Sequence, residues 1–194
     1  MDNVTTPSTS RNQQWREELR RSLSPKMRTA IPRVKMPELA PDYRITCNDE
    51  VNQGITKEMA MQEAQRCLDC PNPQCVTGCP VGIDIPGFIK NIERGNIEEA
   101  AATLRQTSAL PAVCGRVCPQ EQHCESRCIH LKMQGQPVAI GYLERLASDY
   151  VRTNGLSKPT QCAPSLGVKV AVIGSGPCGL SFAGDMSKLG YSVT

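Results

Sequence analysis

The chain has 194 residues, 39 % of them hydrophobic and only 4 % aromatic, with a formal net charge of +3 and a pI near 8.3. That length holds one domain, or one and part of a second, and so few large apolar side chains make a small lobe want an inorganic staple. The modest charge does not mark a nucleic-acid binder, and no apolar run approaches the roughly 20 residues that cross a bilayer.

The N-terminus is polar and carries no apolar leader core, so a reducing, cytoplasmic setting is expected, in which disulfides are disfavoured. Residues 1 to about 27 read as a mobile start and then a short helix, with Trp15, Leu19 and Leu23 at i, i+4 and i+8. Between Arg11 and Lys35 stand eight basic residues against two acids, Glu17 and Glu18. Such a run reads first as a solvated tail with a surface helix, and second as an arm for a partner or nucleic acid. Pro32, Pro37 and Pro41 make residues 31–42 an extended, non-helical segment.

Thr56 then caps a helix that runs to Cys67, with Met59, Ala60, Ala64 and Cys67 on one face. Asp84-Ile85-Pro86 opens another, lined by Phe88, Ile89 and Ile92 and stopped by Gly95. Asn96 to Glu99 has the form of a capping box for a helix from Ile97 to about Thr107. Pro111 links to the second cysteine group. A last helix starts at Pro137 and ends before Gly155, with Ile140, Leu143, Leu146, Ala147 and Tyr150 inward. At residue 168 the character changes. Val168 to Ile173 is a β-branched run, followed by a glycine loop, a helix of small residues to Leu189, and the start of a second strand at Tyr191. The polar stretch from Arg152 to Gly167, with Pro159 and Pro164, is the natural boundary. Because a β-α-β unit cannot close on half a strand, the chain is expected to be cut from a longer protein.

Eight of the eleven cysteines fall between Cys67 and Cys128. They form two groups, Cys67-x2-Cys70-x4-Cys75-x3-Cys79-Pro80 and Cys114-x3-Cys118-Pro119-x4-Cys124-x3-Cys128. Thiolates are soft, anionic ligands, and a Cys-x2-Cys loop brings two of them to one cluster edge. The proline after Cys79 and after Cys118 turns the chain away, as in ferredoxin loops, although the gap of four before Cys75 departs from the usual spacing. Two iron–sulfur clusters are the leading expectation. Structural zinc also accepts four thiolates, and His123 and His130, beside the second group, would serve as zinc ligands or else be ordinary surface residues. In two-cluster ferredoxins the last cysteine of a run serves the other cluster, so Cys67, Cys70 and Cys75 are expected to act together and Cys79 to cross over.

Glu144 lies on the flank of its helix's inner face, four residues from Ile140 and three from Ala147. A buried carboxylate needs a partner or a metal; the simpler reading is a salt bridge to Arg145 or Arg152, or partial exposure. Gly174-x-Gly176-x-x-Gly179 follows a predicted strand and opens a predicted helix, the context that makes it a dinucleotide fingerprint. Its acidic ribose partner is expected at or just past Thr194, so these residues alone should bind nucleotide poorly. Cys178 reads as a small packing residue.

Taken together, RCLDCPNPQCVTGCPVGIDIPGFI, ALPAVCGRVCPQEQHCESRC, PVAIGYLERL and KVAVIGSGPCGLSFA resemble the small (β) subunit of NADPH-dependent glutamate synthase. The same run is found in the large subunit of NADH-dependent reduced ferredoxin:NADP oxidoreductase and in the N-terminal domain of dihydropyrimidine dehydrogenase. IPRVKMPE at 31–38 is closer to the first two, and the likeness spans residues 31 to 194. It implies a mainly α fold, an α-helical ferredoxin-like domain with two [4Fe–4S] clusters, followed by the truncated start (βα) of an FAD- and NAD(P)-binding Rossmann-like domain. The expected division is an extension at 1–45, the cluster domain at 46–155, a linker at 156–167 and the nucleotide-binding unit at 168–194. The resemblance assigns one cluster to Cys67, Cys70, Cys75 and Cys128. It assigns the other to Cys79, Cys118, Cys124 and Glu144, and leaves Cys114 a non-ligand. Gly174, Gly176 and Gly179 would face the nucleotide. The implied activity is that of an NAD(P)H- and FAD-dependent oxidoreductase in glutamate biosynthesis, with electrons leaving through the clusters to a partner subunit. That partner would be of the glutamate synthase large-subunit or ferredoxin:NADP oxidoreductase small-subunit type. No membrane or nucleic-acid partner is implied, self-association stays open, and these residues by themselves are not expected to be catalytically competent.

Overall fold

The computed structural model describes residues 10–156 and 161–194. The expected mobile start and Pro159 of the boundary fall wholly or partly outside the described residues. Helices α1 (Gln14–Ser22) and α2 (Pro25–Ala30) come first, and α3 (Pro41–Arg44) follows an extended run. Next come α4 (Lys57–Gln65), α5 (Gln74–Thr77), α6 (Ile85–Glu93), α7 (Ile97–Arg105) and α8 (Pro111–Val117). A 3-10 turn at Glu125–Arg127 leads into α9 (Ile129–Lys132) and the long α10 (Ile140–Thr153). The chain closes with β1 (Lys169–Val170), α11 (Pro177–Lys188) and β2 (Ser192–Val193). The two strands pair in parallel, Lys169 opposite Ser192 and Val170 opposite Val193. No helix among the described residues is long and apolar enough to cross a membrane.

Local chemistry sets the helix starts. Thr56, Asp84 and Asn96 are N-caps whose side chains accept the backbone N–H of Met59, Gly87 and Glu99. Each cap satisfies one of the donors a first turn leaves unpaired, an effect of about 1 kcal/mol. Gly95 stops α6 in the left-handed region at φ +81°. The faces these helices bury meet in one core: Phe88, Ile92, Ala100, Leu104, Leu143 and Ala147 have no exposed surface. Cys67, Cys75, Cys79 and Cys128 pack half-buried along its edge. Helix α8 crosses α10 so closely that a Cβ on Gly115 would come within 2.7 Å of the Arg145 backbone; only glycine permits that approach.

The structure departs from the sequence reading in four places. The last lobe helix begins at Ile140, not Pro137. Its expected first residues are held elsewhere: the Pro137 carbonyl accepts from Arg33 and Arg66, and the Ala139 N–H donates to Glu63. The predicted strand 168–173 pairs only at Lys169–Val170, and Pro41 opens a short helix inside the segment expected to be extended. The largest departure is at the N-terminus. Arg16 and Arg28 are each 2 % exposed, so the basic stretch is a layer of the lobe and not a solvated tail.

Candidate metal centres

Helix α4 ends just before the Cys67–Cys70 loop. Inside that loop Asp69 is fully buried and sits at φ +51°. A non-glycine residue keeps this conformation only where its surroundings over-determine it, and here they do. Lys90 Nζ donates to the Cys67 carbonyl at 2.6 Å, and Arg11 Nε donates to the Asp69 carbonyl at 2.9 Å. Arg16 and Arg20 both donate to the Asp69 carboxylate, Arg20 at 2.6 Å. Behind this layer, Glu93 pairs with Lys90 at 2.5 Å and with Arg28 at 2.8 Å, and Glu63 pairs with Arg66 at 2.6 Å. Each buried charge of this network therefore has a counter-charge, the condition for keeping it ionised out of water. Charge composition hinted at this network through the excess of N-terminal arginines. Nothing in the periodicity named Asp69, Glu93 or Glu63 as their partners.

Cys75 is on the short helix α5, and Cys128 follows the 3-10 turn. The two are brought together because Gly78 lies against that turn: a Cβ there would meet the His123 carbonyl oxygen and Arg127 Cγ at 2.8 Å. A cavity of about 310 Å³ results, lined by Cys67, Cys70, Cys75 and Cys128 and walled by Ile85, Ile89 and Ile140. These are the four cysteines expected to share the first centre. His130 also lines it, but as a buried group and not the expected surface residue. Its Nε2–H donates to the Arg66 carbonyl at 2.9 Å, and burial pushes its pKa down.

A second cavity, of about 160 Å³, is lined by Cys79, Cys118, Cys124 and Glu144, together with Cys114 and His123. Cys114 is thus on the wall of this cavity although it is not among the expected ligands. His123 Nδ1 lies 3.6 Å from Cys118 Sγ. Glu144 is 5 % exposed, and its Oε1 has no hydrogen-bond partner among the described residues. The salt bridge considered for it is not formed. Arg145 pairs with Glu50 at 3.2 Å and Asp149 at 3.6 Å, and Arg152 pairs with Asp149 at 3.3 Å. Desolvation alone pushes Glu144 up to about 7.

Burial also works against the thiolates. It pushes Cys67 up to about 11 and Cys124 up to about 12, and raises Cys70, Cys75, Cys114 and Cys118. After desolvation, the groups that raise Cys75 most are Cys67, Cys128 and Cys70. For Cys118 they are Glu144, Cys114 and Cys79. Two nests of mutually repelling acids, one with an orphaned carboxylate oxygen, suit a positively charged group whose binding displaces the protons. A lone ion fits less well. Zinc–sulfur bonds are about 2.3 Å, and among the described residues no three His, Cys, Asp or Glu side chains converge tightly enough to hold one metal ion. The donors ring cavities with room for a multi-atom cluster, and thiolate sulfur is the donor such clusters take.

The glycine loop has the backbone its spacing requires. Gly174 turns at φ +110°, and Gly176 is the N-cap of α11. A Cβ on Gly179 would lie 2.2 Å from the Gly174 carbonyl oxygen. Gly174, Ser175, Gly179 and Thr194 line one open hollow.

Residues 44–156 match the family model for dihydropyrimidine dehydrogenase domain II, 4Fe-4S cluster. The NAD-dependent dihydropyrimidine dehydrogenase subunit PreT of Escherichia coli (strain K12) is 39% identical over 146 residues, 75% of this chain and 35% of that protein. The glutamate synthase [NADPH] small chain of the same strain is 40% identical over 144 residues, 74% of this chain and 30% of that protein. The glutamate synthase [NADPH] small chain of Azospirillum brasilense is 36% identical over 144 residues, again 74% of this chain and 30% of the relative. The chain spans about a third of the length of these relatives. With thiol-lined cavities on helices α4 to α10 and a family match across the same residues, the chain belongs to the dihydropyrimidine dehydrogenase domain II family of 4Fe-4S cluster domains.

Proposed function

We propose that this chain carries two [4Fe–4S] centres and relays electrons within an NAD(P)H- and FAD-dependent oxidoreductase. Cys67, Cys70, Cys75 and Cys128 would hold the first centre, and Cys79, Cys118, Cys124 and Glu144 the second. When bound, the clusters supply one-electron transfer between the flavin half of the enzyme and its partner subunit. The observation that carries this reading is that Ile85 and Ile140 line both cavities. The two thiol nests stand back to back, and these aliphatic side chains exclude water from the wall between them. Glu144 supplies the second nest with an oxygen donor that nothing else in the lobe engages. Division of the chain into extension, cluster domain, linker and nucleotide-binding unit belongs to the same proposal. Gly174, Gly176 and Gly179 would let a pyrophosphate approach the N-terminus of α11.

Within the family we favour a glutamate synthase small-subunit type, with a partner of the large-subunit type and a cytoplasmic setting. A dihydropyrimidine dehydrogenase subunit of the PreT type is the second reading, supported by the 39% identity to that protein. Anaerobically purified protein should be brown and hold about eight irons per chain, the sum of two four-iron clusters. Colourless protein with stoichiometric zinc sinks the proposal. Cys118→Ala should then lose about half the iron, whereas Cys114→Ala should keep it all. Equal losses from both would refute the assignment of ligands. Capture of the partner by the full-length protein separates the two family members.

A further inference from the structure

The N-terminal helix grips the part of the molecule that its composition least suggests. Three guanidinium groups, from Arg11, Arg16 and Arg20, converge on the single residue Asp69. That residue stands between two of the cysteines of the first nest, in a left-handed conformation. Its backbone N–H is hydrogen-bonded toward the Cys67 sulfur. The helix is anchored independently of this contact, since the Arg94 guanidinium stacks 3.9 Å from the centre of the Trp15 ring. Arg28 ties the next helix to the Gln65 carbonyl at 2.6 Å, at the end of α4. The residues of α1 lie outside the 44–156 family match. Near the second nest the N-terminal segment makes a lighter tie: Arg33 pairs with Glu125, next to Cys124, at 2.8 Å and donates to the Pro137 carbonyl at 3.1 Å.

We propose that α1 is a strap that holds the Cys67–Cys70 loop in ligating geometry, with Asp69 as the positioning residue through which it acts. The proposal rests on the two-cluster reading above. The carboxylate of Asp69 is the handle: pulled outward by Arg16 and Arg20, it fixes the loop's backbone so that its N–H and the flanking thiols face the cavity. Partners of this kind, one step removed from the ligands, set how tightly a metal group is retained. The strap therefore makes retention of the two centres unequal. The first is locked by the N-terminal helix, whereas near the second the N-terminal segment offers only the Arg33–Glu125 pair.

The test uses the whole chain, loaded with iron, and follows anaerobic release of iron to a ferrous chelator. Asp69→Asn keeps a side chain that tolerates the left-handed conformation and removes the charge. Arg16→Gln/Arg20→Gln removes the other side of the contact. In each variant about half of the iron should leave about tenfold faster or more, while the other half leaves at the wild-type rate. Arg21→Gln, on the exposed side of the helix, should match wild type. Combining Asp69→Asn with Glu144→Ala should accelerate both halves, because each change acts on a different centre. Wild-type release from both variants overturns the strap. So does equal acceleration of all the iron, which marks a general loss of structure, and so does a double variant that affects the same half as either single one. Wild-type protein that holds no iron at all would instead sink the cluster reading, a separate outcome.

Discussion

In the helical lobe Phe88, Leu104 and Leu143 have no exposed surface, whereas in the β1–α11–β2 unit Ile173 is fully exposed and Phe182 is 49 % exposed. No residue of α11 is buried at all. The two regions have comparable apolar patterns in sequence, so the difference lies in what covers them. Helices α4, α6, α7 and α10 present their stripes to one another and leave the cysteines along the rim. A parallel strand pair with one helix has apolar faces that only further elements can cover. What the contrast teaches is that the cluster lobe covers its apolar faces by its own contacts, while those of the glycine-loop unit stay open among the described residues.

Three measurements of unfolding under anaerobic conditions bear on that contrast. The largest effect is expected for Phe88→Ala, a cavity in a closed core costing about 3–5 kcal/mol; Phe182→Ala should stay within about 0.5 kcal/mol, as for surface changes. Similar shifts in the two would break the comparison. Arg28→Met comes next. It removes a buried partner of Glu93, and because Lys90 remains to share that carboxylate, a loss of about 3 kcal/mol is expected. The matching pair in the glycine-loop unit, Lys188 with Asp185, is exposed, and Lys188→Ala should cost less than about 0.5 kcal/mol. The smallest effect concerns helix starts. Asp84→Ala should cost about 1 kcal/mol by freeing the Gly87 N–H, and Gly176→Ser should gain only a few tenths, about 0.3 kcal/mol, on a helix that has no side-chain cap.

Much of the lobe was legible residue by residue. Thr56, Asp84 and Asn96 announce their helices because a capping oxygen acts within three residues, and Gly95 announces a stop for the same local reason. The spacing Gly174-x-Gly176-x-x-Gly179 likewise carries its turn with it. Legibility fails where a distant group intervenes. Pro137 to Ala139 look like a helix start, yet Glu63, Arg33 and Arg66 occupy their backbone groups first. His130 looks like a surface residue until the Arg66 carbonyl is brought to its ring. The arginines of α1 have the composition of a solvated run, and only the fold sets Asp69 and Glu93 within their reach.

The cysteines divide along the same line. Their spacing determined that thiols would gather, because a short loop cannot keep its own sulfurs far apart. It could not determine which groups meet across the chain. That Cys128 lines the cavity of Cys67, Cys70 and Cys75, that Cys79 faces Cys118 and Cys124, and that Glu144 Oε1 is buried without a partner among the described residues all depend on α5 packing against the 3-10 turn and α8 against α10. These contacts turn on shape, in particular the missing side chains of Gly78 and Gly115, and shape is a property of two surfaces meeting, which no single stretch of sequence contains.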